Sequence, residues 1–169
     1  MTCEAVVALV LLAEEKHKEV DALRKKHEPD WRKKLAKHVT LKTFGPDDAI
    51  DVRELWELAN LTDHGSDYAF DRVHCEDGLL ALVPDHDTER AIADIASRVQ
   101  RGHAAKSGFH MTLVHDESKS SDELAACSKP IQRAAQTNPI HCRMSGIELW
   151  VRIPKTSETL FHTIRLCTF

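Results

Sequence analysis

Apolar and polar positions alternate along this chain in short blocks whose period switches between two and about 3.6. Val6 to Leu12 is an unbroken β-branched and Leu-rich run of the kind a buried central strand carries. Between Glu14 and His27 the apolar positions Val20 and Leu23 stand amid charge, which predicts a surface helix ended by Glu28-Pro29-Asp30. His38 to Phe44 alternates as a strand and is closed by Gly45-Pro46. Asp47 to Asn60 is predicted helical, with Pro46 and two acids at its positive end and Ile50, Leu55 and Leu58 on one face. Tyr68 to Cys75 and Leu79 to Val83 follow as strands. A helix is expected over Asp87 to Gln100 (Ile92, Ile95, Val99), a strand over Phe109 to Val114, and a helix over Ser121 to Gln136. Ile147 to Ile153 and His162 to Leu166 complete the strands.

The order of elements repeats. Ala8-Leu9-Val10 recurs as Ala81-Leu82-Val83, and His38-Val39-Thr40-Leu41 recurs as His110-Met111-Thr112-Leu113, at nearly equal offsets. Each half then runs strand, helix, His-strand, helix, strand. The expectation is one domain over residues 1–169 made of two similar lobes, at about 5–77 and 78–153.

Side chains alternate across a strand, so His38, Thr40, Lys42 and Phe44 are expected on one face and Val39 and Leu41 on the other. His110 and Thr112 point together in the same way. A third triplet, His86-Asp87-Thr88, lacks the strand pattern and falls at an expected helix start, where it reads as an accident of composition or a cap. Two imidazoles and two hydroxyls suit phosphodiester chemistry that needs no metal. One neutral histidine takes a proton from attacking water, and the other, protonated, gives one to the departing oxygen. The threonines donate hydrogen bonds to the non-bridging phosphate oxygens. Lys42 and Phe44, from their parity, are candidate substrate contacts, although Phe44 suits the core better. Tyr68, Trp31 and Trp150 are further aromatic candidates for stacking on a base. His74, His115, His141 and His162 have no partner motif and read as structural.

Composition narrows the picture. With 42% hydrophobic residues and 30% charged ones, the chain has enough apolar content for a core and a charged surface. No run approaches the ~20 apolar residues that cross a bilayer, and no basic region leads the first apolar run. A cytoplasmic or otherwise intracellular protein is expected, with the nucleus not excluded, and no membrane partner. Five scattered cysteines without a C-x-x-C read as free thiols, and no zinc-ligand spacing occurs. A net charge of −4 argues against a double-stranded DNA footprint. The charge is uneven: ten Lys and Arg against four acids from Lys16 to Lys42, then fourteen acids against three Arg from Pro46 to Ile95. Solvated helix faces explain this most simply; a basic rim beside a phosphate site is the functional alternative.

These residues resemble the 2H phosphoesterase superfamily over nearly the whole chain, above all its 2′-5′ RNA ligase-like and cyclic phosphodiesterase branch. The resemblance is carried by Val6–Leu12, Leu23–Pro29, His38-Val-Thr-Leu with Phe44-Gly-Pro46, Phe109-His-Met-Thr-Leu113, and Ile147-Glu-Leu-Trp-Val-Arg152. It implies an α/β (α+β) bilobal fold, two pseudo-symmetric lobes with antiparallel-rich sheets around a central cleft. It implies hydrolysis of 2′,3′-cyclic phosphates on nucleotides or RNA ends without metal; no cofactor and a monomer are expected. Catalytic roles carry over to His38 and His110, and phosphate contacts to Thr40 and Thr112. Lys37 and Phe109 stand where many relatives have proline, and Val114-His115-Asp116 stands where many have a basic residue. A non-catalytic nucleotide- or RNA-binding module and a ligase-like activity are the alternatives that the same residues allow.

Overall fold

A computed structural model describes residues 5–13, 18, 20–22, 25, 37–61, 66–104, 108–154 and 159–165. The strands are β1 (Ala5–Ala13), β2 (His38–Phe44), β3 (Asp67–Glu76), β4 (Leu79–Pro84), β5 (Met111–His115), β6 (Ile140–Pro154) and β7 (Thr159–Arg165). The helices are α1 (Val52–Leu61), α2 (His86–Ser97) and α3 (Ser121–Thr137). Lys18, Val20, Asp21, Ala22 and Lys25 are also helical, in the region expected to be so. The rest of that expected helix, the Leu23–Pro29 segment as a whole and Trp31 lie outside the described residues, as do Cys3 and Cys167.

The strands form one sheet in the order β1-β2-β5-β4-β3-β6-β7, and β1 also pairs with β6. Every pairing is antiparallel. The extra β1–β6 pairing closes six strands into a ring. β6 is long enough to hold β1 along one edge and, on the other, β3 at its start and β7 at its end. The fold is thus the expected mixed α/β one. Its strands are joined across the middle by a narrow seam, a single β2–β5 residue pair, Val39↔Met111.

The described helices cover one face of this sheet. Leu55, Leu58 and Ala59 of α1, Ile92, Ile95 and Ala96 of α2, and Leu124, Cys127, Ile131 and Ala135 of α3 are buried there. They pack with Val7, Leu9 and Leu11 of β1, Val39 and Leu41 of β2, Leu80 and Leu82 of β4, and Met111 and Leu113 of β5. The opposite face carries a small separate cluster, Ala8, Val10 and Trp150. Among the described residues no helix is long and apolar enough to cross a membrane.

Several boundaries move for local reasons. α1 starts at Val52 and not at Asp47, because Asp51 Oδ1 caps it by accepting from the N–H groups of Arg53 and Glu54 at 3.0 and 3.3 Å. Asp48 is used earlier, accepting from Gly45 N–H at 2.6 Å in the turn after β2. α2 begins behind its cap, Asp85, whose carboxylate accepts from Thr88 N–H at 2.8 Å. The His86-Asp87-Thr88 triplet is therefore a helix start, with the buried Thr88 hydroxyl accepting from Ala69 N–H at 2.9 Å. β6 begins at Ile140, seven residues before the expected start. Val10 pairs with Gly146 but Leu11 with Met144, so Ser145 is an extra, bulged residue that interrupts the alternation.

Candidate active site

The two His-x-Thr-Leu segments are built alike. On β2, His38 pairs with Val10, Val39 with Leu9 and Thr40 with Ala8. On β5, Met111 pairs with Leu82 and Thr112 with Ala81. The repeated Ala-Leu-Val triplets are thus the strands against which the repeated histidine motifs lie. After each threonine the register slips by one. Val7 pairs with Lys42 and Leu80 with Val114, leaving Leu41 and Leu113 as the bulged residues.

That bulge overturns the simple parity beyond Leu41. Lys42 stands opposite Val7 and Phe44 opposite Ala5, both of which face the core, while Thr43 takes the position on the His38 side. Phe44 is a core residue, only 3% exposed, and not a member of the histidine face. Lys42 leaves the motif face for the same reason. The same slip sends Val114 into the core and places His115 opposite Leu79.

The seam brings the motifs together. Val39 and Met111, the middle residues of the two triplets, are the antiparallel pair that joins β2 to β5. In that sense of pairing, position 38 lies across from 112 and position 40 across from 110 on the face away from the core. His38, Thr40, His110 and Thr112 are all partly buried. His38 is the first residue of β2, whereas His110 lies one residue before β5 and not within it. Its Nδ1 is 3.0 Å from the Gly108 carbonyl oxygen. A carbonyl only accepts, so this bond puts the proton on Nδ1 and makes Nε2 the acceptor nitrogen of the neutral ring. Gly108 has φ +70°, the left-handed backbone that turns its carbonyl back toward His110.

The imidazole of His38 packs against Trp150, with ring centroids 4.3 Å apart and planes at 65°. Trp150 is 2% exposed, so it presents no open face on which a base could stack. Its indole Nε1–H donates to Glu148 Oε2 at 2.7 Å. Tyr68 is likewise a core residue. Lys37, before the first histidine, accepts at its carbonyl from Leu11 N–H at 2.9 Å and pairs its Nζ with Asp21 at 2.8 Å. This anchors the start of β2 to the helical residues behind it. Phe109, before the second histidine, packs on the core.

Two neighbours were not legible from single motifs. Glu148 pairs across Ala8 from Thr40, and His74 pairs across Ala81 from Thr112. They occupy matching places in the two halves. The signal that finds them is cross-strand register through the two alanines. His74 Nε2 lies 3.2 Å from Glu76 Oε2, and His141 Nδ1 lies 2.7 Å from Asp67 Oδ2. His162 lies in β7, where its side chain is outside the described residues. Among the described residues no three His, Cys, Asp or Glu side chains are grouped to hold a metal. Cys75, Cys127 and Cys142 are in no disulfide, and burial pushes the Cys75 thiol up from its ordinary value.

No family model matches the chain, and no curated protein matches it. In structure it is similar to Escherichia coli LigT complexed with NADP+, at 16% identity and a TM-score of 0.59, covering 98% of this chain and 96% of that one. LigT complexed with 3′-AMP aligns at 15% identity and a TM-score of 0.56, covering 98% and 97%. Usb1 of Kluyveromyces marxianus aligns at 14% identity and a TM-score of 0.50, covering 94% and 96%. The chain therefore has the fold of these proteins. The α/β architecture with antiparallel strands expected from the sequence is the one observed.

Proposed function

We propose that this protein is a phosphodiesterase that opens 2′,3′-cyclic phosphates of nucleotides or RNA ends, with His38 and His110 as its proton-transfer pair. The observation that carries this reading is the Val39↔Met111 pairing, which turns both His-x-Thr motifs toward one shared face. The nucleotides held by LigT in its structures, NADP+ and 3′-AMP, support a ligand of this class.

In the reaction, one neutral imidazole takes a proton from water as the water oxygen bonds to phosphorus. One ester bond of the ring, to the 2′ or the 3′ oxygen, then breaks, and the protonated imidazole gives its proton to that oxygen. Nε2 of His110 serves in either role, because Nδ1 is committed to Gly108. The hydroxyls of Thr40 and Thr112 donate to the non-bridging oxygens, where charge accumulates.

The test is hydrolysis of the four nucleoside 2′,3′-cyclic phosphates by wild type, His38→Ala and His110→Ala. Each variant is expected to lose about 10²–10⁴-fold in kcat, the usual worth of a positioned acid or base. Wild-type turnover by either variant would remove that histidine from the mechanism.

A further inference from the structure

We propose that Glu148 is a positioning residue that holds the imidazole of His38 in place through Trp150. The inference rests on the reading of His38 as a proton-transfer residue. Its geometry comes from β6, where Ile147 and Leu149 face the core while Glu148 and Trp150 face the other way. On that side Glu148 lies opposite Ala8, Trp150 opposite Val6, and Gly146 opposite Val10. The small residues leave the floor of the face low enough for the carboxylate, the indole and the imidazole to meet above it.

Glu148 is the one charged residue in the buried class among the described residues, at 7% exposure. A buried carboxylate is costly unless it is hydrogen-bonded or paired, and here it accepts the Trp150 Nε1–H at 2.7 Å. On the other edge of β6 the register position opposite Glu148 is Arg165. The indole has a single donor, so this bond fixes the rotation of the ring as well as its place. The fixed ring is then the surface against which His38 packs, 4.3 Å away between centroids. The backbone of His38 is held by its pairing with Val10 and by the Lys37 carbonyl, but no ladder bond fixes the rotation of the imidazole about its side-chain bonds. A side-chain stop behind the imidazole limits its swing away from the phosphate.

The experiment compares Glu148→Ala, Glu148→Gln and Trp150→Phe in two measurements. The first is kcat and KM on the nucleoside 2′,3′-cyclic phosphates. The second is the ¹⁵N NMR signature of the His38 ring, assigned by its loss in His38→Gln. Glu148→Ala is expected to lower kcat about tenfold or more with KM within twofold, since a misplacement near 1 Å can cost up to ~10²-fold. Glu148→Gln, which keeps an acceptor for the indole, should recover most of that loss. The His38 ring nitrogens should shift or broaden in Glu148→Ala and Trp150→Phe but stay near wild type in Glu148→Gln. An unchanged kcat, or an unchanged His38 signature in both disruptive variants, overturns the proposal. Should Glu148→Ala not fold, Trp150→Phe, which keeps an aromatic side chain but removes the donor, decides alone. If the wild-type protein turns over none of the nucleotides, the phosphodiesterase reading fails while the NMR comparison still decides the positioning.

Discussion

Gly102 offers the sharpest test of how the two motif strands are tied together. It lies between α2 and the segment leading to His110, and its φ of +86° is one that L side chains rarely adopt. A Cβ built there would come within 2.9 Å of Phe44 Cζ, 3.0 Å of Phe44 Cε1 and 3.0 Å of the Thr43 carbonyl oxygen. Neither neighbour can easily retreat. Phe44 is closed into the core, and Thr43 exchanges both backbone hydrogen bonds with His103, at 2.8 and 2.9 Å. Gly102→Ala therefore carries two costs. The left-handed backbone costs roughly 1–2 kcal/mol for a residue with a Cβ. Overpacking against a ring that cannot move costs about 1–3 kcal/mol more. The sum, about 2–5 kcal/mol, corresponds to a fall in melting temperature of roughly 4–20 °C for a chain of this size.

Thermal unfolding followed by circular dichroism measures this directly. Shortening the ring should relieve part of it, so Gly102→Ala combined with Phe44→Leu is expected to cost less than the two changes added, by about 0.5–3 kcal/mol. If Gly102→Ala melts within 2 °C of wild type (about 1 kcal/mol or less), or if the pair is additive, Phe44 is not packed beneath Gly102 and its assignment to the core is wrong.

Other outcomes follow from the same geometry. Thr40→Val and Thr112→Val keep shape and remove the hydroxyl; each should lower kcat by roughly 10²-fold, the scale of one lost oxyanion donor, in the cyclic phosphate assay. Lys42→Ala should leave kcat/KM within about threefold, because the bulge at Leu41 turns position 42 away from the histidine face; a hundredfold loss would return Lys42 to the site. Ser120→Ala breaks the capping box of α3, in which Ser120 and Glu123 satisfy each other's backbone N–H, and should cost about 0.5–2 kcal/mol by denaturant titration. The Ser120 N–H and hydroxyl hold the Glu123 carboxyl below its ordinary value. A carboxylate with a lowered folded pKa stabilises above its unfolded pKa and loses that contribution as pH falls through the folded value. The gap between wild type and Ser120→Ala should therefore narrow on acidification below about pH 4 and be constant above about pH 6.

Much of this fold is legible in the sequence wherever one face of an element is buried without interruption. β2 runs from His38 to Phe44 as its alternation predicts, and β1 exceeds its apolar run by one residue at either end. The failures have a common cause in bulges. Ser145 hides the first half of β6, and Leu41 reverses the parity that had set Lys42 and Phe44 beside His38. A single extra residue moves every later side chain to the other face, and nothing in the local composition announces it. The start of α1 fails differently. Asp47, Asp48 and Asp51 are all acceptable caps, and which one is used depends on Asp48 bonding Gly45 first. Glu148 and His74 are legible only once it is known that Ala8 and Ala81 stand between them and the two threonines.

The bulges also explain why the two repeats have the form they do. Ala8 and Ala81 must be small, because each lies between a motif threonine and a polar residue on the third strand. Leu9 and Leu82 bury the same strands in the core. The fourth motif residue, Leu41 or Leu113, is the inserted one; it is buried, and it returns the strand to core-facing packing after the histidine and threonine. Both halves solve one problem with one device, which is to expose an imidazole and a hydroxyl side by side on a strand whose other face is fully packed. They differ at the third strand, where Glu148 stands on the side of Thr40 and His74 on the side of Thr112. Under the proposed reaction a proton is taken on one side of the phosphorus and given on the other, so a site with identical halves would have no reason to assign the two roles. The unlike residues flanking like motifs supply that difference. Removing the acceptor at position 148, as in Glu148→Ala, while leaving His74 alone is therefore the change most able to blur which histidine acts first.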